Sequence, residues 1–341
     1  MIRQTFLDQV LHRLALESRV FRRFWFRREC ERNGSAFDPQ RQNVFIAGLA
    51  RAGSTALLDT LYNSGGFAST TYAMMPFVMA PSIARLIARL PRAAVAPAER
   101  AHGDAIEVGL DSPEALDGVF WNTFFAQDGD SIQPRDVPPG ILREYAMFIE
   151  NLLLDADAGR YLSKMNQGLD RLGSLAAYFE QSVFLVPFRD PLQQALSLKR
   201  QHEHFSHLSG YEKKYFDWLE HHEFGALHRR FSAETVPTGP AAYAASDLNY
   251  WLRQWYDGYT YLSKLAGLYP NLLAVCYEHM AQSQSFWDNL SQRLKVDVSG
   301  AGFVDRKRAD VTSAGDIDDA LYRDCQSLYQ RLAQQTLSGS A

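Results

Sequence analysis

Asn43-Val44-Phe45-Ile46-Ala47-Gly48-Leu49-Ala50-Arg51-Ala52-Gly53-Ser54-Thr55 decides how this chain folds. The first five residues are a short apolar run ending at a glycine, and Ser54 to Tyr62 carries helical periodicity. Strand, glycine loop and helix in that order begin a parallel α/β sheet. Gly48 and Gly53 have the spacing of a phosphate-cradling loop, in which backbone N–H groups and the N-terminus of the next helix converge on phosphate oxygens. A nucleoside triphosphatase needs a lysine directly after the second glycine to reach the outer phosphates. Here Ser54 stands in that place and the cation is Arg51, inside the loop. Triphosphate chemistry is thereby disfavoured, which leaves a kinase or another P-loop phosphotransferase as the weaker alternative.

Working outward, short strand-like runs recur at Ala105 to Leu110, Tyr161 to Lys164, Ser182 to Phe188 and Asn271 to Tyr277, most of them followed by helical periodicity. With the first run they predict about five parallel strands with helices on both faces. Helical patterns occupy Ile141 to Asp155, Pro191 to His207 and Asp247 to Leu268, the last with Trp251, Trp255, Tyr259 and Leu262 on one side as core. Pro91 to Asp104, Gln127 to Gly140 and Ser232 to Ser246 lack regular pattern and read as loops or lids. The expected organisation is an N-terminal basic amphipathic helical segment over residues 1–40 and one α/β domain over residues 41–337.

The 46% hydrophobic content supports a sizeable core, which makes general disorder untenable. A balance of 35 Lys+Arg against 39 Asp+Glu argues against a polyanion binder that grips nucleic acid by neutralising phosphates, so any anion site must be local. Cys30, Cys276 and Cys325 are far apart and odd in number, which indicates neither a disulfide framework nor a zinc site. With no apolar stretch of membrane-spanning length, a cytoplasmic location is expected. Arg19-Val20-Phe21-Arg22-Arg23-Phe24-Trp25-Phe26-Arg27-Arg28 interleaves aromatics with five arginines. That pattern suits a helix packed on the domain with its arginines solvated, and alternatively a peripheral contact with an anionic membrane surface.

Gly-x-x-Arg-Ala-Gly-Ser-Thr between strand and helix resembles the 5'-phosphosulfate loop of the sulfotransferase family. A second segment agrees. Val183 to Phe188 reads as a buried strand delivering Arg189 to its C-terminal end, with Ser197 eight residues further along the next helix. Arg189 and Ser197 are similar to the family's 3'-phosphate motif, and both side chains can donate to a terminal phosphate. The resemblance extends in order from Asn43 to about Arg308 and is nearest to bacterial members acting on carbohydrate or small-molecule hydroxyls. It implies 3'-phosphoadenosine 5'-phosphosulfate as donor, 3'-phosphoadenosine 5'-phosphate as product, a hydroxyl-bearing acceptor and no obligatory metal. The donor would be held by Gly48, Arg51, Ala52, Gly53, Ser54, Thr55, Arg189 and Ser197. Lys164 ends a strand where the family's carbohydrate and tyrosyl branches place a catalytic lysine, so Lys164 and Arg51 are expected to be catalytic. Leu273 to Glu278 resembles the family's late strand, and Arg306-Lys307-Arg308 is expected to be a solvated charge run. The family's general base is expected near Thr70 to Pro76, a segment that here holds no acid. His102 therefore becomes the expected base, followed by Asp104 and Glu107, because an imidazole titrates near neutral pH. A sulfotransferase-like protein that holds nucleotide without turning it over is the alternative from the binding class.

Overall fold

The computed structural model describes residues 6–34, 37–89, 98–99, 107–166, 168–233, 243–298, 301 and 316–336. In chain order the elements are α1 (Phe6–Leu16), α2 (Arg19–Asn33), β1 (Val44–Ala47), α3 (Ser54–Asn63), β2 (Phe67–Ala68), α4 (Pro81–Ala88), β3 (Ala98–Glu99) and β4 (Glu107–Val108). Next come α5 (Gly118–Phe124), β5 (Ser131–Ile132), α6 (Pro139–Ala156), β6 (Arg160–Met165), α7 (Leu172–Tyr178), β7 (Val183–Phe188) and α8 (Pro191–Phe205). The chain continues with α9 (Gly210–Trp218), β8 (Arg230–Phe231), α10 (Leu248–Leu268), β9 (Leu272–Cys276), α11 (Tyr277–Gln282), α12 (Gln284–Leu294) and α13 (Asp319–Gln334).

The main sheet has five strands in the order β2-β6-β1-β7-β9, every neighbouring pair parallel. β1 is central, with Ile46 opposite Lys164 on one side and Leu185 on the other. Parallel strands covered on both faces should be apolar at every position, and all four residues of β1 are buried. Alternate residues then supply two cores. Phe45, Tyr161, Phe184 and Phe188 face a cluster built with α5, α6, α8, α10 and α13. Val44, Ile46, Leu162 and Leu185 face Leu57, Leu61, Met280 and Trp287 of α3, α11 and α12. Trp251, Trp255, Tyr259 and Leu262 are core residues of α10, as their spacing predicts.

The expected parallel strand at Ala105 to Leu110 is a misreading. Glu107–Val108 pairs antiparallel with Ala98–Glu99 away from the main sheet, and the fifth parallel strand is Phe67–Ala68 against Arg160–Tyr161. Two residues after a Gly-Gly turn carry no periodicity, whereas the longer run from Ala105 to Leu110 reads as a strand in sequence. Residues 127–140, expected as loop, contain β5, which pairs in parallel with β8, and the start of α6. Most of the other two expected loops falls outside the described residues.

α2 lies on the domain rather than apart from it. Ser18 caps it by accepting from the Phe21 N–H at 3.3 Å, and Phe26 is buried against Phe120 and Phe124. Arg22, expected to be solvated, is buried and donates to Asn122 Oδ1 at 3.0 Å and to the Val119 carbonyl.

Candidate active site

β1 leads into the glycine loop at the point where connections depart to opposite sides of the sheet, the place where open α/β sheets bind ligands. Two backbone conformations shape the loop. Arg51 has φ 70°, a left-handed value rare outside glycine, and Gly53 has φ 89°. A Cβ on Gly53 would lie 2.7 Å from Cδ2 of Tyr277, so the position admits only glycine on two independent grounds. Gly53 is also the N-cap of α3 and offers no side chain to it, leaving the first-turn N–H groups directed at the loop. A glycine cradle in front of a helix N-terminus without a side-chain cap fits a phosphate ester.

Arg189 ends β7, as expected, and its guanidinium sits 4.3 Å from the centre of the Tyr277 ring. Tyr277 therefore separates the glycine loop from Arg189, a role its sequence context marks only as part of a late strand. Ser197 faces the site from α8 and accepts from Nε of Arg51 at 3.0 Å. The structure thus brings Arg51, Ser197, Arg189 and the loop together at the C-terminal ends of β1 and β7. Asp190 caps α8 by accepting from the Gln193 N–H at 3.0 Å, which fixes where Arg189 stands.

Gln194 is the residue that joins the two motifs, and nothing in the sequence announces it. Fully buried, it donates to the Ala50 carbonyl at 2.9 Å and accepts from Nε1 of Trp255 at 3.0 Å and the Arg189 N–H at 3.3 Å. Its side chain ties the glycine loop to the end of β7 through hydrogen bonds that water would otherwise claim.

Lys164 projects from β6 on the α3 side and donates to Thr55 Oγ1 at 3.2 Å. Its other partner is unexpected. Glu114 Oε1 lies 2.8 Å from the Lys164 ammonium, with both side chains buried. Tyr72 donates its hydroxyl to Glu114 Oε2 at 2.7 Å, and the Ala115 N–H donates to Oε1 at 2.8 Å. Glu114 arrives there because Thr71 and Pro113 form an antiparallel bridge and the Glu114 N–H donates to the Thr70 carbonyl at 2.9 Å. The segment from Thr70 to Pro76, which has no acid of its own, is thus supplied with one from another stretch of chain. On the other face of β6 Asp117, fully buried, accepts from Tyr145, Tyr161 and Ser163 at 2.5, 2.6 and 2.7 Å. Burial pushes its carboxyl up, and the three hydroxyls oppose that shift.

His102 and Asp104 lie outside the described residues, as do Arg306, Lys307 and Arg308. Glu107 is in β4, its backbone opposite Glu99. Beside the first half of the loop a slot runs between Leu49, Asn166, Leu169, Leu198, Phe231 and Trp251. His228 also lines it and is held by two contacts, with Nδ1 3.2 Å from the His222 carbonyl and Nε2 2.6 Å from the Tyr250 hydroxyl. The carbonyl can only accept, so Nδ1 carries the proton and Nε2 accepts from Tyr250. Burial and the neighbouring His202 push its pKa down to about 4.

No protein-family model and no curated protein sequence matches this chain. Its fold is similar to that of sulfotransferase STF1 from Mycobacterium tuberculosis, with TM-score 0.51 and 12% identity over 96% of this chain and 87% of that one. Two further solved structures are sulfotransferase STF9 from Mycobacterium avium and a sulfotransferase from Alicyclobacillus acidocaldarius. The first has TM-score 0.47 and 11% identity over 99% of this chain and 82% of that one. The second has TM-score 0.38 and 13% identity over 87% of this chain and 95% of that one. The first structure of the three carries the comparison: this chain has the sulfotransferase fold.

Proposed function

We propose that the protein transfers the sulfuryl group of 3'-phosphoadenosine 5'-phosphosulfate to an acceptor hydroxyl of a saccharide or small molecule. The observation that carries this reading is the Lys164–Glu114 pair, closed onto Thr55 at the start of α3 beside a glycine loop that lacks a triphosphatase lysine. The donor nucleotide supplies an activated sulfuryl group on a phosphate leaving group. Gly48, Ala52, Gly53, Ser54 and Thr55 would hold its 5' end through backbone N–H groups and hydroxyls, and Arg189 and Ser197 its 3'-phosphate. Arg51, already in contact with Ser197, would neutralise charge on the donor's phosphates.

Lys164 brings its side-chain nitrogen to the start of α3, where negative charge would grow as a phosphate leaving group departs. Glu114 is the carboxylate next to it and takes the proton of the acceptor hydroxyl, with Tyr72 and the Ala115 N–H fixing its orientation. His102 remains the rival for that role.

Calorimetry with 3'-phosphoadenosine 5'-phosphate, 5'-AMP and ATP tests the donor assignment, followed by a transfer assay over saccharide and phenol acceptors. Tight binding only of the 3'-phosphorylated nucleotide, with sulfated product, is the expected result. Equal affinity for 5'-AMP overturns the 3'-phosphate assignment. Binding without transfer to any acceptor favours a nucleotide-holding protein, and magnesium-dependent ATP turnover favours a phosphotransferase.

A further inference from the structure

We propose that the outward face of α2 docks the protein onto an anionic lipid surface. The inference is independent of the transfer reaction. At about 100° per residue, the inward side of α2 is set by Arg22, Phe26 and Glu29, all buried. Val20, Phe24, Arg27 and Glu31 fall on the opposite side, flanked by Arg23 and Arg28. A helix packed on a soluble domain ordinarily turns its apolar residues inward and its polar residues outward. Here Val20 is 78% exposed and Phe24 51% exposed on the outward side. Together with Leu14 of α1 they make up half of the exposed large apolar side chains among the described residues, although α1 and α2 are a small part of the chain.

Charge surrounds these apolar tips. Arg19, Arg27, Arg28 and Arg32 are exposed, and Arg23, also exposed, turns its guanidinium to the Thr123 carbonyl at 3.1 Å and the Phe124 ring. Glu31 is the exposed acid of this helix, 3.3 Å from Arg28, while Glu29 is buried and accepts from Ser82 Oγ at 2.5 Å and Arg32 at 3.0 Å. The net positive charge of α2 contrasts with the net charge of −4 on the whole chain. Apolar tips standing among arginines match an interface that takes apolar groups into its boundary layer and attracts cations by its surface potential. A nucleic acid would use the arginines and leave Val20 and Phe24 wet. A second copy of this face would set arginine against arginine across a two-fold axis. Among the described residues no helix is long and apolar enough to cross a membrane, so the contact is peripheral.

Flotation of the full chain with vesicles of phosphatidylcholine, alone and mixed with phosphatidylserine, tests the proposal. Binding to the mixed vesicles, weakened by added salt and absent on phosphatidylcholine, is expected. The pair Val20→Ser with Phe24→Ser should reduce the bound fraction about tenfold, and Arg27→Glu with Arg28→Glu should abolish binding. Leu268→Ser, on the exposed end of α10, serves as control and should bind as the parent does. All five positions are exposed, so unchanged thermal unfolding is expected to accompany each result. No flotation with phosphatidylserine at low salt overturns the proposal, as does flotation indifferent to both pairs. An RNA complex or a dimer that the same substitutions disrupt, without vesicle binding, also overturns it.

Discussion

Lys164 and Glu114 divide the labour of one ion pair, and substitutions separate their parts. Lys164→Met should lower kcat with little change in the affinity for 3'-phosphoadenosine 5'-phosphate, because the charge it faces grows only as the bond breaks. Glu114→Gln keeps the shape and the Tyr72 hydrogen bond and removes the base, so kcat should fall roughly 10²- to 10⁴-fold at unchanged nucleotide affinity. If Glu114→Gln is fully active and His102→Ala is not, the base is His102. Arg189→Ala should instead weaken the 3'-phosphorylated nucleotide by about 1.5–3 kcal/mol and leave 5'-AMP unaffected, read by calorimetry. The positions of Arg51, Lys164 and Arg189 in the fold were legible because each lies in or follows a strand whose apolar run is visible in the sequence. Glu114 was not, because it reaches Lys164 through a single bridge between Thr71 and Pro113, and no spacing encodes a contact between segments that far apart. Gln194 was hidden for a related reason: a glutamine inside a helical pattern reads as surface until its buried partners are known.

The glycine loop, α3 and the end of β7 act as one element pair, and two substitutions address their junction. Gly53→Ala meets both a positive φ and the Tyr277 ring, so it should cost about 1–3 kcal/mol of stability and reduce nucleotide binding. Gln194→Met preserves length and removes the hydrogen bonds to the Ala50 carbonyl and the Arg189 N–H, while Trp255 Nε1 keeps the Arg189 carbonyl as acceptor. Nucleotide affinity should fall while the catalytic step on bound donor is little changed, a KM effect visible in transfer assays. At this scale α6, α8 and α10 were legible almost to their ends, since long periodic helices announce themselves. β2 was not, because two residues offer no period to read. Its position was taken by a longer apolar run near residue 106 that pairs elsewhere.

For the whole molecule, acid should be destabilising in a window set partly by His228. Unfolded, this histidine takes a proton below about pH 6.5, whereas folded it does so only near 4. Between those values the unfolded chain binds more protons, so the contribution to stability is complete above about pH 6.5 and is lost as pH falls toward 4. About 1–3 kcal/mol is at stake, and His228→Gln should flatten the fall in denaturant midpoint across that window. A parallel sheet of about five strands with helices on both faces was legible from short apolar runs, though one of its strands was assigned to the wrong segment; the strand order was not, because it follows from crossovers rather than from any one strand. That order has a consequence for biosynthesis. β1 pairs with Leu162 on one side and with Val183 on the other, so its four apolar residues leave the ribosome well over a hundred residues before either neighbour does. The nucleotide loop is therefore made early and shaped late, and nascent chains arrested before Phe188 has emerged should remain open to protease at Phe45 whatever nucleotide is supplied.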